Sequence, residues 1–342
     1  MDELMMQRCL ELANNALGTT YPNPLVGSVI VHNQKIIGEG WHKKAGQDHA
    51  EIVAIKSVND KSLLKESTLY VNLEPCSHFG KTPPCSHKIV EYGIPKVVIG
   101  IRDKASHVNG KGIAYLKENG VEVIEHILEE EAEWLNRRFF TFHTKKRPYI
   151  VLKYAQTSNG YFAPLGQEQK WITNTYCKQL AHKWRTEEAS ILVGKRTAEI
   201  DQPQLNARLW LGNQPIRVII SRELSPEIKS FLSSDLKTIV FTEAENEKMQ
   251  NVDFIKIDFE VNVLEQILHH LYEQNLQSII IEGGAATLAH FIEENLWDEA
   301  RVFTGDVAWE NGIKSPILEN ARIKFQQDLG RDEYKLYVNR KQ

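Results

Sequence analysis

Cysteine is scarce in this chain, with four in 342 residues. Cys9, Cys76, Cys85 and Cys177 are too few and too scattered for the disulfide framework of a small secreted domain. Excess positive charge is missing too. Against 41 Lys and Arg stand 45 Asp and Glu, a net charge of −4, so the chain lacks the basic footprint of a nucleic-acid binder. No apolar run approaches the ~20 residues that a membrane span needs. The start, Met1-Asp2-Glu3-Leu4, has neither the basic residues nor the apolar stretch of a secretory signal. These absences point to a cytoplasmic protein with reduced thiols, without membrane or nucleic-acid partners.

What is present is enough for two ordinary cores. Hydrophobic residues make up 42% and charged residues 25%, typical of a globular protein, and the length favours two domains at ~100–200 residues each. Apolar positions Leu4, Met5, Cys9, Leu12, Ala13 and Ala16 recur at helical spacing and predict an opening amphipathic helix. Val26–Val31 and Lys35–Gly40 read as a hairpin, Thr68–Leu73, Lys96–Gly100 and Val121–Ile124 as further strands, and residues 48–58 and 111–119 as helices. A second helix is expected to begin at Glu74-Pro75-Cys76. Strands alternating with helices give a three-layer α/β/α sandwich. A charged helix, Glu129–Phe142, and the connector Lys145-Lys146-Arg147-Pro148 mark the boundary, with domains at 1–145 and 146–342. The second half repeats the α/β alternation, from Tyr149–Lys153 through Ser190–Val193, Ile216–Ile220 and Thr238–Phe241 to Ser278–Gly284, which is expected to close the series before the helix Ala286–Leu296.

The first half carries a metal-site pattern. His49-Ala50-Glu51 is followed by Glu74-Pro75-Cys76 and then by Cys85, the order of residues in zinc-dependent nucleobase deaminases, although the second thiol comes later than in the short form of that signature. Zn²⁺ accepts imidazole nitrogen and thiolate sulfur in tetrahedral geometry, and a catalytic site uses three protein ligands and keeps one position open. His49, Cys76 and Cys85 supply three. Bound zinc lowers the pKa of water to about 7, and Glu51, two residues from a ligand, is placed to move protons without binding the metal. The competing reading is a closed structural site with His78 or His87 as fourth ligand; it leaves Glu51 and Pro75 without a role. Cys9 and Cys177 read as half-buried packing residues.

Those residues, the spacer from Ser77 to Pro84, and the upstream Tyr21-Pro22-Asn23-Pro24-Leu25-Val26-Gly27 resemble the deaminase half of the bifunctional riboflavin-biosynthesis deaminase/reductase family, and the resemblance covers nearly all 342 residues. It implies a cytidine-deaminase-like domain followed by a dihydrofolate-reductase-like domain that uses NADPH. The implied substrate is a pyrimidine ribosyl phosphate, first deaminated and then reduced from ribosyl to ribityl, and the family suggests a homodimer or larger assembly. Asn23 would meet the pyrimidine, where the residues alone allow simple turn chemistry; His42 could line the pocket or be a surface histidine. The alternative is a nucleotide or tRNA deaminase with a non-catalytic C-terminal binding domain.

In the second half, a strand, then Gly283-Gly284, then a helix is an arrangement that can bring backbone N–H groups against a phosphate, but without a G-x-G-x-x-G fingerprint it also fits any strand-to-helix turn. The resemblance implies cofactor contacts from Ala155, Trp171, Thr197, Asp201 and the turn Gly284, Ala285, Ala286, Thr287, Leu288, Ala289 and His290. It implies substrate contacts from Gln169, Arg185, Leu205, Arg208 and Glu282, with Lys153 and Thr173 near the ribose. Arg185 and Arg208 suit a phosphate, since guanidinium forks bind its oxygens in pairs; each is equally explicable as a surface arginine. Glu282 at a strand's carboxyl end can accept N–H bonds from a pyrimidine edge or cap a helix. Trp171 can stack on a cofactor ring or sit in the core. The chain departs from the family at Asn159, Gln169 and Gln202.

Overall fold

Period-two apolar runs and amphipathic helices assemble into two compact units, Met1–Lys146 and Arg147–Gln342. The computed structural model describes residues 1–78, 83–104, 110–166, 170–232, 236–245 and 248–341.

In the first unit, α1 (Asp2–Asn14) precedes the hairpin β1 (Gly27–His32) and β2 (Lys35–Trp41). Then come α2 (Ala50–Ser57), β3 (Thr68–Leu73), α3 (Cys85–Glu91), β4 (Lys96–Ile101), α4 (Lys111–Glu118), β5 (Glu122–Ile124) and α5 (Glu129–Lys145). The sheet order is β2-β1-β3-β4-β5, antiparallel between β1 and its two neighbours and parallel from β3 to β5. Alternation along the strands divides the core into two faces. Ile30, Leu69, Val71, Val97 and Ile99 pack with Ala54, Ile55, Ile89, Ile113 and Leu116 of α2, α3 and α4. Val29, Val31, Tyr70 and Val98 meet Met5, Met6, Cys9 and Leu12 of α1, while α5 contributes Phe139 and Phe140. Each fully buried aliphatic side chain contributes about 1.5–3 kcal/mol.

The second unit contains β6 (Tyr149–Thr157), β7 (Tyr161–Ala163), α6 (Thr175–Glu187), β8 (Ser190–Gly194), α7 (Lys195–Ile200), β9 (Ile216–Ile220), α8 (Pro226–Leu232), β10 (Thr238–Thr242) and β11 (Val252–Lys256). It continues with α9 (Val263–Glu273), β12 (Ser278–Gly283), α10 (Ala285–Glu293), β13 (Glu299–Gly305), β14 (Ile313–Lys314), β15 (Ala321–Leu329) and β16 (Asp332–Asn339). Among the described residues nine strands form one sheet in the order β11-β10-β9-β8-β12-β6-β13-β16-β15. It is parallel as far as β13, and β16 and β15 close it as an antiparallel edge. Both faces are covered, one by α9 and α10 and the other by α6, α7 and α8, as parallel sheets require. The parallel strands β6, β8 and β12 bring their carboxyl ends to one side, the usual place for ligands.

Several expectations are corrected. No helix begins at Glu74-Pro75-Cys76: β3 ends at Leu73, Glu74, Pro75, Cys76 and Ser77 lie outside helix and strand, and α3 starts at Cys85 with Pro84 as its N-cap. The series does not close at Gly284, since β13, β14, β15 and β16 follow. Cys9 and Cys177 are fully rather than half buried. Among the described residues no helix is long and apolar enough to cross a membrane.

Candidate active sites

His49 is the N-cap of α2, with extended backbone at φ −71° and ψ 159°. This leaves its ring at the helix entrance, where Glu51 occupies the first turn. Cys76 follows β3, and the start of α3 grips it: Cys85 N–H donates to Cys76 Sγ at 3.3 Å, and the Ser86 N–H and hydroxyl donate to the Cys76 carbonyl at 3.2 and 3.0 Å. His49 Nδ1 lies 3.6 Å from Cys76 Sγ and 3.3 Å from Cys85 Sγ. In a tetrahedral zinc site with Zn–S ≈ 2.3 Å and Zn–N ≈ 2.0–2.1 Å, nitrogen and sulfur ligands stand about 3.6 Å apart. The donor set therefore fits zinc.

The electrostatics agree. Cys76 is lowered to about 4 by the Cys85 thiol first, then by His49 and the Cys85 backbone N–H, while Cys85 is raised because its proton lies between the two sulfurs. Two sulfurs this close do not both ionise readily without a cation. His78 and His87 stand outside the cluster; the metal-capable group among the described residues is His49, Cys76 and Cys85, and the His87 ring is stacked on Tyr115 with centroids 3.9 Å apart. Three ligands leave a tetrahedral position for a reactant. Glu51 is buried and outside the trio, and burial raises its carboxyl above the ordinary range, with the positive His49 opposing.

Two further residues shape this site. His42 Nδ1 faces the Asp48 carbonyl at 3.0 Å, so Nδ1 carries the hydrogen; Nε2, 3.0 Å from Asn23 Nδ2, then accepts from the amide. This chain of bonds turns the Asn23 carbonyl oxygen away from His42. Burial holds His42 below its usual range, consistent with a neutral ring. The role of Glu74 escaped sequence reasoning. Its buried carboxylate accepts from the backbone N–H groups of Gly110 and Gly112, both at 2.9 Å, and of Asp103 at 3.2 Å. Gly112 packs so tightly that a Cβ would sit 2.0 Å from the Pro75 carbonyl oxygen. The signal available in sequence was an acidic residue directly after an apolar strand.

In the second unit, Glu282 near the end of β12 takes both arms of the Arg185 guanidinium, Nε to Oε1 at 2.9 Å and Nη2 to Oε2 at 2.7 Å. Arg185 Nη1 donates to the Asn206 carbonyl at 2.9 Å. Burial alone would raise Glu282, but Arg185 and then Lys153 overcome it and hold the carboxyl down at about 2. Burial lowers Lys153, with Glu282 opposing. Arg185 thus directs its fork at Glu282, not at a phosphate, and Arg208 is the exposed guanidinium, donating to Asn206 Oδ1 at 2.9 Å. His182, one turn before Arg185 on α6, is a buried imidazole lowered to about 4 by burial and then by Arg185 and Arg208. Its place beside Arg185 at i, i+3 spacing was the clue to it.

Gly283 has φ +139°, a conformation that favours glycine, and Thr197 Oγ1 lies 3.1 Å from where a Gly284 Cβ would stand. Thr287, in the first turn of α10, presses on Gly194 at the end of β8. Thr197, Gly284, Ala285, Ala286 and Thr287 therefore border one strand-to-helix turn. Leu288 is wholly buried in the core and Leu205 is 1% exposed, so either could meet a ligand only through its backbone. Ala289 and His290 lie a turn further along α10, with His290 exposed. Trp171 is 65% exposed, not a core tryptophan, with Lys178 Nζ 4.6 Å from the ring centroid. Asp201 is exposed, and Ala155 and Thr173 are half-buried. Gln169 lies outside the described residues. The Asn159 departure has a physical account: its amide donates to the Trp309 carbonyl at 2.7 Å and accepts from the Trp309 N–H at 3.2 Å, and an aspartate could not donate.

Comparison with known proteins accounts for both units. Residues 1–101 match the cytidine and deoxycytidylate deaminase zinc-binding region, and residues 148–307 match the RibD C-terminal domain. The riboflavin biosynthesis protein RibD of Aquifex aeolicus is 40% identical, covering 97% of each chain, and that of Escherichia coli is 31% identical over 88% of this chain and 87% of its own. Among solved structures, the diaminohydroxyphosphoribosylaminopyrimidine deaminase/5-amino-6-(5-phosphoribosylamino)uracil reductase of Thermotoga maritima superposes with a TM-score of 0.90 at 36% identity, covering 98% of each chain. RibD of Acinetobacter baumannii gives 0.87 at 32% identity with the same coverage. A zinc-ligand trio in one unit and a reductase-type sheet in the other, matched along nearly the whole length by such relatives, place this chain in the RibD family of bifunctional zinc-dependent deaminases and NADPH-dependent reductases of riboflavin biosynthesis.

Proposed function

We propose that residues 1–145 deaminate a 2,5-diamino-6-ribosylamino-pyrimidinone 5′-phosphate and that residues 146–342 reduce the product's ribosyl chain to ribityl, giving 5-amino-6-(5-phosphoribitylamino)uracil. The deaminase and reductase activities of the Thermotoga maritima relative support this substrate. His49, Cys76 and Cys85 hold zinc, which when bound supplies a Lewis acid that makes water ionisable near neutral pH. Glu51 takes one proton from the attacking water and passes it to a ring nitrogen, then takes the second from the hydroxyl newly added at the ring carbon and passes it to the amine that leaves as ammonia. Its burial-raised carboxyl suits a group that must alternately accept and release protons. Asn23, its amide set by His42, presents its oxygen to an N–H of the pyrimidine.

In the reductase unit the cofactor, when bound, supplies a hydride. The turn from Gly284 to His290, with Ala155, Trp171, Thr197 and Asp201, borders it. Glu282, aligned by Arg185, keeps spare lone pairs for substrate N–H groups, and Lys153 holds a proton beside it near the sugar. Arg208 takes the phosphate end, Thr173 stands with Lys153 near the ribose, and the Leu205 backbone and Gln169 complete the substrate contacts. Four unpaired cysteines support a reducing, cytoplasmic setting, and the assembly is a homodimer or larger, which light scattering measures.

The observation that carries this reading is a buried carboxylic acid beside a three-ligand zinc trio. The test supplies the diaminopyrimidine phosphate with NADPH and follows ammonia and the nicotinamide absorbance together. Ammonia rises first and the absorbance of the reduced nicotinamide falls after it if the reading holds; ammonia without nicotinamide oxidation would remove the second activity.

A further inference from the structure

Asp332 opens β16, and its buried carboxylate is bonded to two other segments of the reductase unit. Oδ2 accepts from the Asn174 backbone N–H at 2.7 Å and from the Cys177 thiol at 3.6 Å, and Oδ1 accepts from the Asp306 backbone N–H at 3.1 Å. Burial, with Asp332 adding to it, pushes the Cys177 thiol up to about 12, so it stays a donor. At the other side of the hairpin turn, the Leu329 carbonyl accepts from Asn174 Nδ2 at 2.7 Å. The tip of the β15–β16 hairpin thus holds Asn174 by its main chain and by its side chain. Asn174 Oδ1 meanwhile caps α6, accepting from Tyr176 and Cys177 N–H.

On the opposite flank, Gly305 ends β13 just before Asp306. It lies so near Ile172 that a Cβ there would be 2.0 Å from the Ile172 carbonyl oxygen. The stretch Trp171–Asn174 is therefore held between the end of β13 and the hairpin tip. This matters because Trp171 is 65% exposed: apart from the Lys178 ammonium over its ring, little packing fixes its place, and the backbone anchors do. The helix cap alone would not need Asp332, since Asn174 already provides it.

We infer that Asp332 is a positioning residue for the nicotinamide cofactor, setting Trp171 at the mouth of the reductase sheet through Asn174 and Asp306. This rests on the reading of Trp171 as a cofactor contact given above. It extends the site to the C-terminal hairpin, beyond the residues 148–307 matched by the RibD C-terminal domain.

The test is Asp332→Asn, which keeps the size of the side chain but turns an amide N–H₂ toward a backbone donor. The expected result is a Kd for NADPH, measured by equilibrium dialysis, and a KM for NADPH both raised about tenfold, with kcat within about twofold. Ammonia release and zinc content remain unchanged. Asn174→Ser keeps a capping oxygen and removes only the tie to Leu329; it raises the same KM by a smaller factor and carries the test alone should Asp332→Asn fail to fold. An unchanged KM for NADPH, or a fall in kcat at constant KM as loss of folded enzyme would give, overturns the inference while leaving the reductase reading intact. If the parent protein itself does not oxidise NADPH with the pyrimidine, the reading of the site fails and the inference with it.

Discussion

Arg185 and Glu282 meet as a two-armed ion pair, 2.9 and 2.7 Å, across 97 residues of sequence. The carboxylate is buried among apolar strands, and its ionised form depends on that guanidinium. Replacing Arg185 by Met would leave a buried charge without its partner, a loss of about 3–5 kcal/mol. Urea denaturation of the reductase unit reads this directly, and an unshifted midpoint would show that Glu282 draws its support elsewhere.

The same pair sets an acid limit. Glu282, ordinarily near 4.5, is held at about 2 in the folded protein, so its contribution is fully present above the unfolded value and is lost as pH falls from 4.5 toward 2. His182 acts in an adjoining window. Its folded value of about 4 lies below the ordinary 6.5, so between those values the unfolded chain binds a proton that the folded chain refuses, and stability falls as pH drops from 6.5 to 4. Each shift corresponds to about 3 kcal/mol at full extent. Stability measured across pH in Glu282→Gln should lose the lower slope, and in His182→Gln the upper one.

Neither group was legible as a stability element from sequence. Strands such as Ile150–Leu152 and Ile279–Ile281 announce themselves by unbroken apolar character, and the His49, Glu51, Cys76 and Cys85 pattern is dense enough to read as chemistry. Arg185–Glu282 is a long-range pairing, which local pattern cannot reveal. The edge strand β15 carries only a short alternation, Ala321, Ile323 and Phe325 against Arg322, Lys324 and Gln326, which the polar run Gln326-Gln327-Asp328 ends, and most of the strand is exposed. Glu74-Pro75-Cys76 starts no helix: the Glu74 carboxylate, bonded to the backbone N–H groups of Gly110 and Gly112, ties this stretch to the start of α4, an anchor that only the folded chain contains.

That anchor is testable through Gly112. A methyl group there would stand 2.0 Å from the Pro75 carbonyl oxygen, and backbone must move to admit it. Gly112→Ala should destabilise the deaminase unit by about 1–3 kcal/mol and loosen zinc through displacement of the adjoining Cys76. Metal analysis after dialysis, with retained NADPH oxidation as a control, distinguishes this from general unfolding; full zinc retention would contradict it.

Zinc removal offers a second separation of the two activities. A strong chelator should abolish ammonia release and lower the melting temperature of the deaminase unit, since binding energy is folding energy for such sites. Reduction of the already deaminated pyrimidine by NADPH should continue at its original rate. Loss of both activities together would mean that the ion supports more than His49, Cys76 and Cys85.

The most direct test is Glu51→Gln in the zinc-loaded protein, assayed for ammonia release from the diaminopyrimidine phosphate. The account predicts a fall of about 10²-fold to 10⁴-fold or more, the range for loss of a general acid–base group, with zinc content and reduction of the deaminated substrate unchanged. Ammonia released at the parent rate would contradict the proton-carrying role on which the deaminase assignment turns.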